Sequence, residues 1–193
     1  MITSWTCTFD DPLSQLAAKY GTDKLKWYTS FYHELLKDRR DAKKILELGI
    51  GSPDCMPEGY KTGASLRMWE EYFPQATIYG LDHSCGTLIN EGRIKSFFFQ
   101  QSYENTYPLQ ELGTGFDLIV DDASHKWYDQ LKALGILSPL TSLYIIEDTG
   151  YMTHNEARTN TRFLNKWTNA EFVPFWNPNL PAGDRGSCIV VWP

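Results

Sequence analysis

Short apolar runs alternating with helix-period segments predict an α/β fold. The expected form is a doubly wound, mostly parallel sheet of seven strands with helices on both faces. Three observations carry this expectation. The period switches repeatedly between short apolar runs and i, i+3, i+4 spacing. The first, second, fourth and fifth runs end in glycine or in acids. The last two runs are separated only by a Pro-, Asn- and Gly-rich stretch, which predicts an antiparallel edge hairpin. With 193 residues, the expected organisation is one domain over residues 1–193.

Taken in order, Leu13, Leu16, Ala17 and Tyr20 follow helical spacing, with Pro12 suited to a first turn and Gly21 as the stop. Tyr28, Phe31, Tyr32, Leu35 and Leu36 repeat the pattern. Ile45 to Gly49 reads as a buried strand running into Gly-Ile-Gly. Residues 52–63 read as a loop, and Ser65 is expected to cap a helix bearing Leu66, Trp69, Tyr72 and Phe73. Further strands are expected at Thr77–Leu81, Ile94–Phe99, Phe116–Val120 and Leu143–Ile146. The final pair is expected at Phe172–Trp176 and Cys188–Trp192. Helices are expected over Trp127–Leu137 and Asn155–Thr168.

The balance of 18 basic against 24 acidic residues gives a net charge of −6, which disfavours a protein that grips nucleic acid through its phosphates. No run reaches the length of a membrane span. Met1 to Asp11 has neither a basic nor an apolar signal region. The four cysteines form no Cys-x-x-Cys pair. Reduced thiols in a cytoplasmic protein are therefore expected, with no zinc site.

In sheets of this kind ligands bind beyond the carboxyl ends of the strands. Glu47-Leu-Gly49-Ile-Gly51 ends the first strand, where glycines let the backbone approach a ligand. Asp82 ends the second, where a carboxylate can accept both hydroxyls of a ribose. A third glycine for a pyrophosphate cradle is missing, so an adenosyl cofactor without phosphates fits better. A tight turn without ligand is the competing reading. Asp122 and His125 stand three apart after the fourth strand, where an imidazole can take a proton from a hydroxyl. Asp122 could instead cap the next helix. Glu147 and Asp148 end the fifth strand. With Asp122 they offer three oxygen ligands suited to Mg²⁺ or Mn²⁺, or else form a solvated rim. Thr22 or Asp23 reads as an N-cap between the first two helices. Trp27, Trp127, Tyr128 and Tyr151 could wall an acceptor pocket or simply pack.

Several motifs stand in order: Tyr20-Gly-Thr-Asp-Lys24 with Tyr28-Thr29, Glu47-Leu-Gly-Ile-Gly51, Gly63-Ala-Ser-Leu-Arg-Met-Trp69, Phe73-Pro-Gln-Ala76, Gly80-Leu-Asp82, Asp121-Asp-Ala-Ser-His125 and Glu147-Asp148. The set resembles the class I S-adenosylmethionine-dependent O-methyltransferases of the macrocin and mycinamicin type, which act on sugar hydroxyls of natural products. The resemblance implies a Rossmann-like sheet, S-adenosylmethionine, and Mg²⁺ held by Asp122, Glu147 and Asp148. It implies a catalytic His125, with Asp122 beside it. It places cofactor contacts at Thr22, Tyr28, Thr29, Glu47, Gly49, Gly51, Asp82 and Asp121, with Gln100 or Gln101 at the adenine. Residues 1–40 would then be helices covering the cofactor site. The partner would be a small-molecule acceptor, and association with further copies of the chain is left open. A cofactor-binding protein without transferase activity and an NAD-dependent oxidoreductase are the rival readings.

Overall fold

The structure is a computed structural model, and it describes residues 4–52, 56, 58–149, 154–166, 168–181 and 186–193. Eight strands form one sheet. They are β1 (Trp5–Thr6), β2 (Lys44–Leu48), β3 (Thr77–Asp82), β4 (Ile94–Phe98), β5 (Leu118–Asp121), β6 (Tyr144–Ile146), β7 (Asn169–Trp176) and β8 (Gly186–Trp192). Their order is β1-β7-β8-β6-β5-β2-β3-β4. Strands β2 to β6 pair in parallel. Strand β8 runs antiparallel to both β6 and β7, which is the expected hairpin.

The sheet has one strand more than the seven expected. Strand β1 pairs in parallel with β7, and Cys7 N–H extends the pairing by donating to the Trp176 carbonyl at 2.9 Å. Two residues carry no alternation to read. Strand β1 is held by its side chains: Trp5 Nε1 donates to Ser30 Oγ at 2.9 Å, and its ring meets Phe31 edge-on.

The central strands are buried on both faces because successive side chains point to opposite sides and both sides are covered. Ile45, Ile78, Leu118, Val120 and Ile145 enter one apolar cluster. That cluster lies under helices α1 (Pro12–Tyr20), α2 (Thr29–Leu36) and α3 (Ala64–Tyr72). Leu46, Leu48, Leu81, Ile119 and Ile146 enter the other. It lies under the short α4 (Leu109–Leu112), α5 (Trp127–Leu137) and α6 (His154–Leu164).

Helix boundaries follow local chemistry. Asp11 caps α1 by accepting from Ser14 N–H at 2.9 Å, Pro12 opens it, and Gly21 closes it at φ 71°. Helix α3 begins one residue earlier than its expected cap. Gly63, at φ 75°, stands at the N-cap and Ser65 lies inside the first turn. Helix α6 ends at Leu164, short of Thr168, because Asn165 Oδ1 accepts from Ala170 N–H at 2.6 Å and starts β7.

The order of strands reverses between β2 and β5, and that switch point is where such sheets bind ligands. The two strand ends meet closely there. Gly49 lies at φ 92°, and a Cβ on it would collide with the Asp122 carbonyl. Only glycine satisfies both demands.

Candidate active site

A cavity of about 370 Å³ opens at the carboxyl ends of β2, β3, β4 and β5. That is within the range of small-molecule sites. Gly49, Gly51, Asp82, Gln100, Gln101, Asp122, His125 and Asp148 all line it, so most of the expected site residues share one wall system.

Asp82 shapes the glycine turn. Its Oδ2 accepts from Ile50 N–H and its Oδ1 from Ser84 N–H, each at 2.8 Å. Each oxygen keeps a further acceptor position. Strand β5 ends at Asp121 with Asp122 just beyond it, and the two successive side chains enter different surroundings. Asp121 is fully buried and does not line the cavity. Burial pushes its carboxyl up to about 7, against hydrogen bonds from Gln101, the Ala123 N–H and Tyr144. Gln101 Nε2 donates to both its oxygens at 2.7 Å, while Gln101 Oε1 accepts from Ser124 N–H at 3.0 Å. The Gln101 amide is thus spent on tying β5 to the turn after β4.

Asp122 does reach the cavity. It is not the cap of α5, since Lys126 occupies that position. Its Oδ1 meets His125 Nε2 at 3.1 Å, and Asp148 Oδ2 lies 3.7 Å from the same nitrogen. Asp122, His125 and Asp148 each offer a ligand atom, all within 4.8 Å of one another. Both His125, at φ 55°, and Asp148, at φ 46°, occupy the left-handed region, where a side chain costs about 1–3 kcal/mol. Burial works to lower the His125 pKa, but the hydrogen bond to Asp122 and the nearby carboxylates outweigh it and hold the imidazole above its ordinary value.

Behind this cluster lies a cation that the spacing of the sequence did not reveal. Lys24 is 1% exposed. Its Nζ lies 2.7 Å from Asp122 Oδ2, 2.7 Å from Glu147 Oε2 and 3.0 Å from Glu47 Oε1. Burial works against its charge, but the three carboxylates raise its pKa well above the usual value. Asp122 is lowered: burial opposes ionisation, and Lys24 and His125 outweigh it. Glu47 and Glu147 are raised by burial, with Lys24 opposing. The partners of Lys24 lie 98 and 123 residues along the chain for Asp122 and Glu147, so no local pattern could mark it.

Several expected contacts fall elsewhere. Glu147 is not in the metal-ligand cluster, because its two oxygens are held by Lys24 and by the Tyr32 hydroxyl at 2.7 Å. Glu47 is buried behind the cavity, where it accepts from Trp69 Nε1 at 2.8 Å. Thr22 caps the short turn Asp23–Lys26, as its competing reading had it. Thr29 Oγ1 pairs with Ser14 Oγ between α1 and α2. Tyr28 does not line the cavity, yet its hydroxyl donates to Asp148 Oδ1 at 2.5 Å and so fixes that acid. The aromatic wall is also different. Trp27 is buried against Gly186, Trp127 packs into the core beneath α5, and Tyr128 is exposed. Tyr151 lies outside the described residues. The aromatics that do line the cavity are Tyr60, Phe99 and Tyr103, together with His83.

The donor set fits a divalent cation. One ammonium faces three acids, and Asp148 adds a fourth, so carboxylate oxygens outnumber the fixed cations at this corner. Two carboxylates with an adjacent imidazole suit a hard or borderline metal ion. The glycine turn, the Asp82 carboxylate and the cavity volume fit a nucleoside-bearing ligand.

No protein-family profile matches the chain. Curated relatives do. The 8-demethyl-8-(2-methoxy-alpha-L-rhamnosyl)-tetracenomycin-C 3'-O-methyltransferase of Streptomyces olivaceus is 35% identical over 146 residues, covering 70% of this chain and 36% of that protein. The mycinamicin VI 2''-O-methyltransferase of Micromonospora griseorubida is 34% identical over 148 residues, covering 70% and 35%. The chain therefore spans only about a third of the length of these relatives. Among solved structures, the MycE methyltransferase from the mycinamycin biosynthetic pathway, in complex with Mg and SAH, superposes with a TM-score of 0.66 at 32% identity. That match covers 76% of this chain and 38% of MycE. The methyltransferase domain of bacterial CtHen1 shares the fold over 94% of this chain and all of its own length, with a TM-score of 0.57 at 16% identity. By sequence and by fold, this chain is a relative of the class I O-methyltransferases of natural-product sugars, of the macrocin and mycinamicin type.

Proposed function

We propose that the cavity binds S-adenosylmethionine and that the chain catalyses metal-assisted methyl transfer to a hydroxyl of a small polar acceptor, a sugar or a sugar-bearing natural product. The observation that carries this reading is the meeting of Asp122, His125 and Asp148 on the wall that also holds Gly49, Gly51 and Asp82. When bound, the cofactor would supply a methyl group on positive sulfur, and a divalent ion held by Asp122 and Asp148 would supply a Lewis acid that makes a nearby hydroxyl more acidic.

The chain's own residues do the rest. Asp82 receives the ribose hydroxyls, and the glycine turn admits the ligand close to the backbone. Asp122 Oδ1 pairs with His125 Nε2 and orients the imidazole that takes the hydroxyl proton. Lys24 and Tyr28 fix the two ligating acids from behind. The N-terminal helices close this side of the site, since Asp23 lines the cavity and Lys24 and Tyr28 reach its acids. Holding both reactants in line supplies much of the acceleration. The relatives' names support the acceptor class, as both name O-methyltransferases and that of the Streptomyces olivaceus protein names a rhamnosyl compound.

The test is a panel of deoxysugar glycosides incubated with S-adenosylmethionine and Mg²⁺, with S-adenosylhomocysteine followed by mass spectrometry. The wild type produces it with at least one acceptor. His125→Ala binds S-adenosylhomocysteine as the wild type does and loses turnover by about 10²–10⁴-fold. No product with any acceptor overturns the activity, and full turnover in His125→Ala overturns the assigned base.

A further inference from the structure

One buried side chain behind the turn from Asp122 to His125 has no part in the chemistry proposed above. Gln101 follows β4 and is 5% exposed. Its amide faces two partners at once. Nε2 donates toward both oxygens of Asp121 at 2.7 Å, and Oε1 accepts from Ser124 N–H at 3.0 Å. Asp121 immediately precedes Asp122, and Ser124 immediately precedes His125. A single amide from another strand's end therefore grips the chain just ahead of each residue of the acid–imidazole pair.

Both ends of this grip are themselves fixed. The Tyr144 hydroxyl, from β6, donates to Asp121 Oδ2 at 3.2 Å. The Tyr107 hydroxyl donates to the Gln101 carbonyl at 3.0 Å. Asp121 and Tyr144 are fully buried. A buried polar chain of this kind keeps one geometry, because breaking any member leaves another unpaired.

The turn needs such a hold. Strand β5 ends at Asp121 and α5 begins at Trp127, so residues 122–126 have no ladder or helix to fix them. His125 lies at φ 55°, a region that side chains rarely adopt and that the surroundings must impose. Its Nε2 nonetheless meets Asp122 Oδ1 at 3.1 Å. We propose that Gln101 is a positioning residue for the methyl transfer: by holding Asp121 and the Ser124 N–H together it sets His125 against Asp122, and it acts on turnover through His125. This rests on the reaction proposed above.

The experiment compares Gln101→Met, Gln101→Asn, His125→Ala and the combination of Gln101→Met with His125→Ala. Thermal unfolding and titration with S-adenosylhomocysteine come first, then turnover with an acceptor found in the panel above. Gln101→Met, close to glutamine in volume, binds S-adenosylhomocysteine within about 2-fold of the wild type and loses kcat by about 10- to 100-fold, with the KM of the acceptor little changed. Gln101→Asn keeps a donor for Asp121 but is too short to reach Ser124 as well. It loses kcat in the same way and decides the matter should the methionine variant not fold. On top of His125→Ala, Gln101→Met costs less than about 3-fold, because residues that act as a unit are not additive. In protein carrying isotope-labelled histidine, the ring signal of His125, identified by its loss in His125→Ala, moves in the Gln101 variants while those of His33 and His83 stay. A cofactor affinity that falls as far as kcat makes Gln101 a cofactor contact and overturns the proposal. A full further loss on top of His125→Ala overturns it too, as does an unmoved His125 signal. Wild type that methylates no acceptor overturns the reaction itself, and the His125 signal then decides alone whether Gln101 sets the turn.

Discussion

Lys24 makes the strongest prediction among single residues. It is a buried ammonium among Glu47, Asp122 and Glu147, so Lys24→Met leaves three acids without their counter-charge. Removing one partner of a buried pair costs about 3–5 kcal/mol. Glu47 and Glu147 already lie above their ordinary values through burial, so the folded state holds protons that the unfolded state releases. Stability from such groups is lost as pH rises. Lys24→Met enlarges the shift, and its deficit in urea unfolding therefore widens between acid and neutral pH. A deficit that does not vary with pH contradicts the charge arrangement. Gly49→Ala tests the switch point. The positive φ and the collision with the Asp122 carbonyl predict a loss of at least about 2 kcal/mol in the same assay, and a neutral effect contradicts the close approach. The acids and glycines of the site were legible because strand ends mark them in the sequence. Lys24 was not, because its partners come from distant strands. Neither was the division of labour between Asp121 and Asp122, which only burial decides.

At the scale of elements, legibility follows how local the cause is. Helix α1 carries its own start and stop in Asp11, Pro12 and Gly21. Helix α5 spans the residues its periodicity predicts. Strand β1 depends on Trp5 meeting Ser30 and Phe31, and α3 takes Gly63 as its N-cap where a serine was the obvious candidate. The cap of α1 is a usable probe of the N-terminal layer. Asp11→Ala removes the acceptor of Ser14 N–H and costs about 1 kcal/mol of stability. Because α1 lies at the edge of the layer that carries Lys24 and Tyr28, hydrogen exchange in residues 12–29 should quicken more than in β2 or β5. Uniform quickening across the sheet would mean that the layer does not open by itself.

The whole molecule is a sheet whose switch point gathers glycines, acids and His125 beside a cavity, in a chain of net charge −6. No helix among the described residues is long and apolar enough to cross a membrane. The converging ligand atoms of Asp122, His125 and Asp148 predict that Mg²⁺ or Mn²⁺ raises the melting temperature and that EDTA reverses it. Asp148→Asn should lose most of that response while keeping the fold, and an undiminished response in this variant contradicts Asp148 as a ligand. The most direct measurement is the thermal shift of the wild type with S-adenosylhomocysteine, repeated with Mg²⁺ and with EDTA. A ligand that binds only the folded state raises the melting temperature, so the predicted result is a saturable rise, larger with Mg²⁺ than with EDTA. No shift under any condition would mean that the glycine turn and Asp82 serve the fold alone and would contradict the cofactor site.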